Sequence, residues 1–553
     1  MKDMDSHREE DTNFWAPGTV RLEQLLVTGS TTELLLHPVP SSDPDDPLNW
    51  STTRKALNFG LVGFFVLWTF VHLQIGSTSW GPLMMELHFT IDDLNNAVAI
   101  SCAGLAVGCM LFMPFVHKYG RRPLYLISLT LQLGSVVWQA KTKSVGDWMG
   151  SNLIAGLGGA ISEAVVQITI ADLFFVHQHG TMNAWYLIFT SVGASLGPVA
   201  SGFVVESQGW RWIWWWCTIF LALNLVLVLF FFEESKYIPI LNGRSVPYVT
   251  ETVDEDAPKS IRNDFELQKS ARSTGDAKPN SLEQTQSRID PSMPRKTYRQ
   301  RFALVTPSKG RIGHHFYQPI IVLFCFPAVA YTALTYGTLL ASLALMSSVQ
   351  AVYLLQPPYN FGPSGVGLMN IAPFVGSCIG FFVGGYLNDR SIRWFSKRNG
   401  GIYEPEMRLW LALAAAVLLP AGIVMFGLAL VRGVHWMVLA VGFGLFGFTF
   451  VLASGIALSY VTDCYQEILG DVLVGIVFMR NLFAVVVLFT LTPWIQGMGL
   501  QNVHVLLAMV CFAILLIPVP LLIWGKRARI ATAKRYEQMA MRQPAHRTLG
   551  EHS

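Results

Sequence analysis

Long apolar stretches dominate this sequence and leave few folds open to it. Of the 553 residues, 52% are hydrophobic and only 14% are charged, whereas soluble domains carry about a quarter charged residues. A helix needs roughly 20 apolar residues to cross a bilayer, and twelve stretches reach about that length. Their approximate limits are 56–76, 96–116, 123–141, 147–171, 182–204, 211–232, 316–346, 365–388, 407–430, 435–462, 472–494 and 502–525. Because lipid satisfies no backbone polar groups, each stretch is predicted to be helical.

The distribution of Lys and Arg predicts how these spans are oriented. With both termini in the cytoplasm, most of the 39 basic residues fall on cytoplasmic segments. Only Lys141, Lys143, Arg211 and Arg432 fall outside the cell, and Arg480 lies within the membrane. This asymmetry is the positive-inside pattern. The net charge of +3 gives no indication of a nucleic-acid partner, and the polar first segment predicts no cleavable signal peptide.

A polar segment divides the spans into two groups of six. Residues 233–314 are rich in Ser, Asp, Glu, Lys and Pro, a composition that favours a disordered linker. The predicted organisation is a cytoplasmic N-terminal arm, a six-helix bundle, the cytoplasmic linker, a second six-helix bundle and a cytoplasmic tail. These parts cover residues 1–55, 56–232, 233–314, 315–525 and 526–553.

A short polar motif recurs at the same position in both groups. Gly120-Arg121-Arg122 follows the second span and Asp389-Arg390 follows the eighth. Such recurrence indicates an internal duplication, which is common in secondary transporters. We therefore predict an all-α membrane protein with twelve transmembrane helices in two pseudo-symmetric bundles.

The fifth predicted span contains an unusual concentration of glycine. Gly193, Gly197 and Ser201 lie four apart within an apolar run that also contains Pro198 and Gly202. Small residues spaced four apart let another helix approach closely, and proline frees a backbone carbonyl and permits a bend. This pattern favours a closely packed but pliable helix, although ordinary helix packing explains any single glycine equally well.

These motifs resemble the major facilitator superfamily over essentially all the spans. The loop at Gly120, Arg121 and Arg122 is similar to the superfamily's Gly-x-Leu-x-Asp-Arg-x-Gly-Arg-Arg signature, with His117 in the place of the acidic residue. The second copy retains its acid as Asp389. Residues 193–202 resemble the fifth-span motif Gly-x-x-x-Gly-Pro-x-x-x-Gly of proton-coupled antiporters. The resemblance implies the major facilitator fold.

Further strings narrow the resemblance to fungal twelve-span drug:proton antiporters and their polyamine-transporting relatives. They lie at 45–50, 171–177, 209–212, 398–408 and 480–481. Where that branch usually has Glu-Arg-Gly, this chain has Gln178-His179-Gly180. Together with His117 in place of an acid, this change leaves the N-terminal half with fewer charged residues that could form salt bridges at the cytoplasmic end.

Two charged residues fall at membrane depth. Glu163 lies in the fourth span and Arg480 in the eleventh, and intramembrane charges are costly enough to suggest a function. Glu163 is a candidate proton or cation site, with a structural carboxyl as the alternative. Arg480 keeps its proton, so it is a candidate counter-ion or anion contact. A pair between the two across the bundles is one hypothesis.

Polar residues at the inner ends and in the predicted cavity complete the candidate set. Three aspartates and three arginines are predicted at the inner ends of the spans: Asp172, Asp389 and Asp463 with Arg121, Arg122 and Arg390. They would either close the cytoplasmic side through salt bridges or be ordinary helix-end charges. Spans that line the cavity by resemblance carry Gln74, Asn152, Gln167, Tyr331 and Tyr336. Such groups suit a bulky, mostly apolar ligand, but helix–helix hydrogen bonds explain each of them singly.

The sequence thus predicts a transporter and not an enzyme. No nucleotide loop, paired cysteines or metal-ligand spacing is present in the sequence, so we expect no cofactor and no metal. The expected partners are the lipid bilayer, a small-molecule substrate and protons, and we expect a monomer. Proton-coupled efflux at the plasma membrane is the favoured interpretation, with the vacuolar membrane as an alternative location. Uptake of an organic cation or polyamine is the first alternative function, and a transport-dead nutrient sensor is a lower one.

Overall fold

The computed structural model describes residues 17–21, 44–236, 301–306, 313–400 and 402–540. The remaining parts of the predicted arm, linker and tail lie outside the described residues. We call the end of the molecule that carries 77–90, 205–210 and 354–364 the outer end, following the orientation predicted above. The opposite end is the inner end.

The N-terminal half contains helices α1 to α6. Their bounds are Thr52–Gln74 (α1), Ile91–Tyr119 (α2), Arg122–Ala140 (α3), Val145–Leu173 (α4), Val176–Ser191 continued through a π-helical turn Val192–Leu196 into Gly197–Gln208 (α5), and Trp210–Phe231 (α6). A short helix, Trp80–Glu86, extends α1 at the outer end. Capping boxes start α2 at Thr90 and α4 at Ser144, which satisfies backbone N–H groups where these helices enter the apolar layer.

The C-terminal half contains helices α7 to α12. They comprise His314–Cys325 with Pro327–Tyr353 (α7), Pro363–Leu368 with Ile371–Arg398 (α8), Ala412–Val431 (α9), Trp436–Cys464 (α10), 469–498 (α11), and 500–515 with Pro518–Ala540 (α12). Gly499, with a φ of 80°, separates α11 from α12. Two residue pairs, Val20–Arg21 (β1) and Ile402–Tyr403 (β2), form a small antiparallel bridge.

Helices therefore cover all twelve predicted spans within the described residues. In the described part of the chain, ten helical segments are long and apolar enough to cross a membrane. The last of these runs through Gly499 and contains both α11 and α12, and α3 is an additional 19-residue helix. The predicted all-α membrane fold is confirmed.

Each half has its own apolar core, and equivalent helices pack alike. In the N-terminal half, α2 packs on α4 because Gly156 brings its backbone against the Ser101 carbonyl. In the C-terminal half, α8 packs on α10 with Gly376 against the Gly444 carbonyl. The same pair of positions in each half is thus joined by close backbone contact, which agrees with an internal duplication.

Candidate functional site

A buried ion pair joins the two halves at membrane depth. Glu163 on α4 forms an ion pair with Arg480 on α11, and Asn481 Nδ2 donates to the second carboxylate oxygen at 3.0 Å. Glu163 is 5% exposed and Asn481 is fully buried. Glu163 lies ten residues before the end of α4, which places it about 15 Å above the inner end of that helix. The hypothesised pair is therefore present in the structure.

The surroundings of this pair come from both halves. Arg480 interacts electrostatically with Tyr186 on α5, Tyr336 on α7 and Cys109 on α2. The Tyr186 hydroxyl also donates to the Ser162 carbonyl at 3.2 Å, beside Glu163. Five helices thus contribute to one polar cluster in an apolar interior. Removing one partner of such a buried pair leaves an uncompensated charge, which typically costs about 3–5 kcal/mol.

Sequence reasoning missed Asn481 and Tyr186 as neighbours of Glu163. Asn481 was visible only as half of the Arg480-Asn481 string, because sequence alone does not show which helix face meets α4. Its Oδ1 atom is buried and has no hydrogen-bond partner among the described residues. The amide therefore retains an unused acceptor beside Glu163.

The other predicted cavity residues are less closely connected to this cluster. Asn152 Nδ2 donates to the Trp148 carbonyl of its own helix at 2.7 Å, and Gln74 and Gln167 are half-buried. Tyr331 is 2% exposed and packs at 6.3 Å from the Tyr460 ring in the C-terminal core. Of this predicted set, the structure brings Tyr336 to the ion pair.

The glycine-rich part of α5 contacts two different helices. A Cβ on Gly193 would lie 2.5 Å from the Leu67 carbonyl of α1, and Gly197 packs on Val71 of the same helix. A Cβ on Gly202 would lie 2.5 Å from the Pro363 carbonyl at the start of α8. Pro198 follows the π-helical turn. The stretch therefore packs α5 against its own half and against the opposite one.

At the inner end of the N-terminal half, the arginine motif forms a buried network. Arg121 is fully buried, and its Nε lies 2.9 Å from Asp172 Oδ2. Arg122 Nη2 donates to the Leu229 carbonyl at 2.6 Å. Gly120 has a φ of 107°, and a Cβ there would collide with the Glu234 carboxylate. This close approach explains why glycine suits the position.

Glu234 is the centre of this network and was not identified from the sequence. Its carboxylate accepts from the backbone N–H groups of Arg121 at 2.9 Å and Arg122 at 3.1 Å, at the positive end of α3. Lys236 Nζ donates to the carbonyls of Lys118 and Thr306 at 2.8 and 3.0 Å. The polar composition of 233–314 concealed these contacts, because it gave no reason to separate the ends of the linker from its centre.

The C-terminal inner charges differ from the expected arrangement. Asp463 pairs with Arg408 at 2.5 Å, and the Tyr403 hydroxyl also donates to it. Burial, and then the Asp463 charge, raise the pKa of the Tyr403 hydroxyl above its usual range. Arg390 is exposed, with its Nη1 3.5 Å from the Tyr386 hydroxyl, and the side chain of Asp389 lies outside the described residues. Asp172 thus pairs with Arg121, one of the expected arginines, whereas Asp463 pairs with Arg408, which was not among them, and both pairs lie within one half.

His117 instead lies at an inner contact between the halves. Its ring stacks on His315 of α7 with the ring centres 4.5 Å apart, and His315 Nδ1 lies 3.2 Å from Asp471 Oδ1 on α11. The acid of this contact is therefore on the C-terminal half, opposite the position at which the motif usually carries one. No group of three or more His, Cys, Asp or Glu side chains among the described residues has a metal-binding arrangement.

Two six-helix halves that meet at a buried polar cluster define a membrane carrier. The family model of the Major Facilitator Superfamily matches residues 59–479. The chain belongs to this superfamily and is a secondary transporter of that type.

Similar proteins are fungal members of the family, which confirms the resemblance. The chain is 32% identical to an "Uncharacterized MFS-type transporter" of Schizosaccharomyces pombe, over 91% of this chain and 89% of that protein. It is 28% identical to Protein HOL1 of Saccharomyces cerevisiae, over 97% and 99% of the two chains. It is 25% identical to Efflux pump radE of Floropilus chiversii, over 88% and 83%.

Proposed function

We propose that this transporter exports a small, largely apolar organic molecule in exchange for protons. The observation that carries the proposal is the Glu163–Arg480 ion pair, which joins α4 to α11 between the two halves. Protonation of Glu163 removes the charge that holds Arg480, so a bound proton and a closed ion pair exclude each other. An inward proton gradient then biases the equilibrium between outward-open and inward-open states.

The relatives support the direction of transport only by similarity. One of them is named an efflux pump, and the glycine motif on α5 resembles that of proton-coupled antiporters. We place the transporter in the plasma membrane as a monomer with both termini in the cytoplasm, in keeping with the distribution of Lys and Arg.

The test is a substrate screen in proteoliposomes with an imposed pH gradient. The wild type is expected to accumulate substrate against its gradient, and Glu163→Gln to lose gradient-driven flux while remaining folded. Glu86→Gln is the matched control, because Glu86 also pairs with an arginine, Arg211, but within one half. Undiminished proton-driven flux in Glu163→Gln would overturn the proposal.

Uptake of an organic cation or polyamine is the second candidate. Glu163 is a buried carboxylate beside Arg480, which interacts electrostatically with Tyr186 and Tyr336. A cationic substrate that displaced Arg480 would take its place beside that carboxylate. Cells that overexpress the protein and accumulate more labelled polyamine than control cells would favour uptake over export.

A further inference from the structure

At the outer end, α5 meets the start of α8 through both backbone and side-chain contacts. Gly202 and Gly367 each bring their backbone against a carbonyl of the opposite helix, at Pro363 and Pro198 respectively. Beyond them, Glu206 at the end of α5 reaches Ser364. Its Oε1 accepts from the Ser364 backbone N–H at 3.0 Å and from the Ser364 hydroxyl at 2.7 Å.

Glu206 differs from Glu86, an outer-end carboxylate that pairs with an arginine. Glu86 accepts from Trp210 Nε1 and Arg211 Nη1, both at 2.6 Å, and all three residues belong to the N-terminal half. Among the described residues, the hydrogen bonds of Glu206 run across the boundary, from the N-terminal half to Ser364 of the C-terminal half. Its contact must therefore break whenever the outer ends separate.

We propose that Glu206 is an outer latch, a residue whose two bonds to Ser364 hold the transporter closed on its outer side. The latch rests on the proposed alternating access, because it acts only if the halves separate there. A charged acceptor makes stronger hydrogen bonds than a neutral one. Replacing Glu206 by Gln retains the shape and one acceptor but removes the charge, so the outward-open state gains population.

A buried residue on the other side of the same boundary can report this opening. Asn95 on α2 is 3% exposed, and its Nδ2 lies 3.3 Å from Thr492 Oγ1 on α11. A cysteine at 95 is shielded while the outer ends are closed and becomes accessible when they separate. Its position between α2 and α11 keeps the reporter apart from the α5–α8 contact.

The experiment measures the rate at which Asn95→Cys reacts with a membrane-impermeant thiol reagent added from outside to intact cells. The full chain without this substitution gives the background from the native cysteines. Glu206→Gln is expected to raise the rate by about three- to ten-fold, the range that one or two such bonds support. Ser364→Ala, which removes only the hydroxyl donor, is expected to raise it by about two-fold. Glu86→Gln is expected to leave it unchanged.

An unchanged rate in Glu206→Gln would overturn the latch, and so would an equal increase in Glu86→Gln or the absence of labelling in every variant. If Glu206→Gln does not fold, as judged by size-exclusion chromatography, Ser364→Ala decides the question in the same way. Faster labelling in Glu206→Gln, together with no proton-driven flux in the wild type, would retain the latch and overturn the proposed coupling. Proton-driven flux in the wild type, together with unchanged labelling in Glu206→Gln, would overturn the latch alone.

Discussion

The outer and inner ends of the molecule hold their helices together in different ways. At the outer end, the halves contact each other directly, through Gly202, Gly367 and the Glu206–Ser364 bonds. At the inner end, the Arg121–Asp172 and Arg408–Asp463 ion pairs each remain within one half. These inner ion pairs stabilise each half, whereas the halves meet through backbone packing and the Glu206–Ser364 bonds at the outer end and through the His117–His315 stack at the inner end.

The buried Glu163–Arg480 pair combines features of the outer and the inner contacts. Glu163 and Arg480 connect the halves as the outer contacts do, but they do so with charge as the inner networks do. A bond between halves that depends on charge is one that a proton can break. The Glu163–Arg480 pair is therefore the contact between the halves on which the proposed coupling depends, and the contrast between the two ends can be tested at each of them.

The largest effect is expected from filling the outer backbone contact. Gly202→Val places side-chain atoms where a Cβ alone would already lie 2.5 Å from the Pro363 carbonyl. Overpacking of this kind costs about 1–3 kcal/mol, so the outer-closed state should lose about five-fold or more in population. Thiol labelling of Asn95→Cys should accelerate accordingly, and transport should fall.

Gly60→Val is the control for this prediction, because no atom lies within 4 Å of a Cβ built there. It should leave both labelling and transport close to the wild type. Equal labelling rates in Gly202→Val and Gly60→Val would show that the α5–α8 backbone contact does not control outer closure.

An intermediate effect, on stability instead of gating, is expected at the inner end. Arg121→Ala removes the buried guanidinium that pairs with Asp172, and loss of a buried pair costs about 3 kcal/mol or more. Thermal unfolding in detergent should occur at a clearly lower temperature, while Asn95→Cys labelling should not accelerate. Arg390→Ala, at an exposed position, should change stability by about 0.5 kcal/mol or less. Equal losses in the two variants would contradict the difference between the buried and exposed copies of the motif.

The local features of this architecture could be predicted from sequence, and the contacts between distant segments could not. The twelve spans and the close packing of Gly193 and Gly202 follow from composition and spacing within one helix. The Glu163–Arg480 pair was only a hypothesis, because residues 317 positions apart meet through helix orientation that one sequence does not specify. Asp463 was assigned the wrong partners because the loop at 402–408 folds back beneath its own half.

The smallest expected effect is a pH dependence of stability at the inner end. Burial, and then the nearby Arg121 guanidinium, lower the pKa of the Lys236 ammonium from 10.5 to about 8. Between about pH 8 and 10.5 the unfolded chain therefore binds more protons at this site than the folded chain, and stability rises with pH. Lys236→Met should abolish that contribution, so its unfolding temperature should rise less than the wild type's between pH 8 and 10.

The control for this pH dependence is Lys526→Met, since Lys526 is exposed and bonds to Glu404 on the C-terminal half. It should retain the wild-type slope. Between these pH values the unfolding temperature of Lys236→Met should rise by about 2 °C less than that of the wild type. This difference corresponds to a contribution of about 1 kcal/mol in a chain of this size. Because both described acceptors of Lys236 Nζ, the carbonyls of Lys118 and Thr306, lie at the inner end, the same pH change should not alter the difference in Asn95→Cys labelling between Lys236→Met and the wild type. A pH-dependent difference in labelling would mean that the inner network also responds to the separation of the halves, and that the two ends are less independent than their contacts indicate.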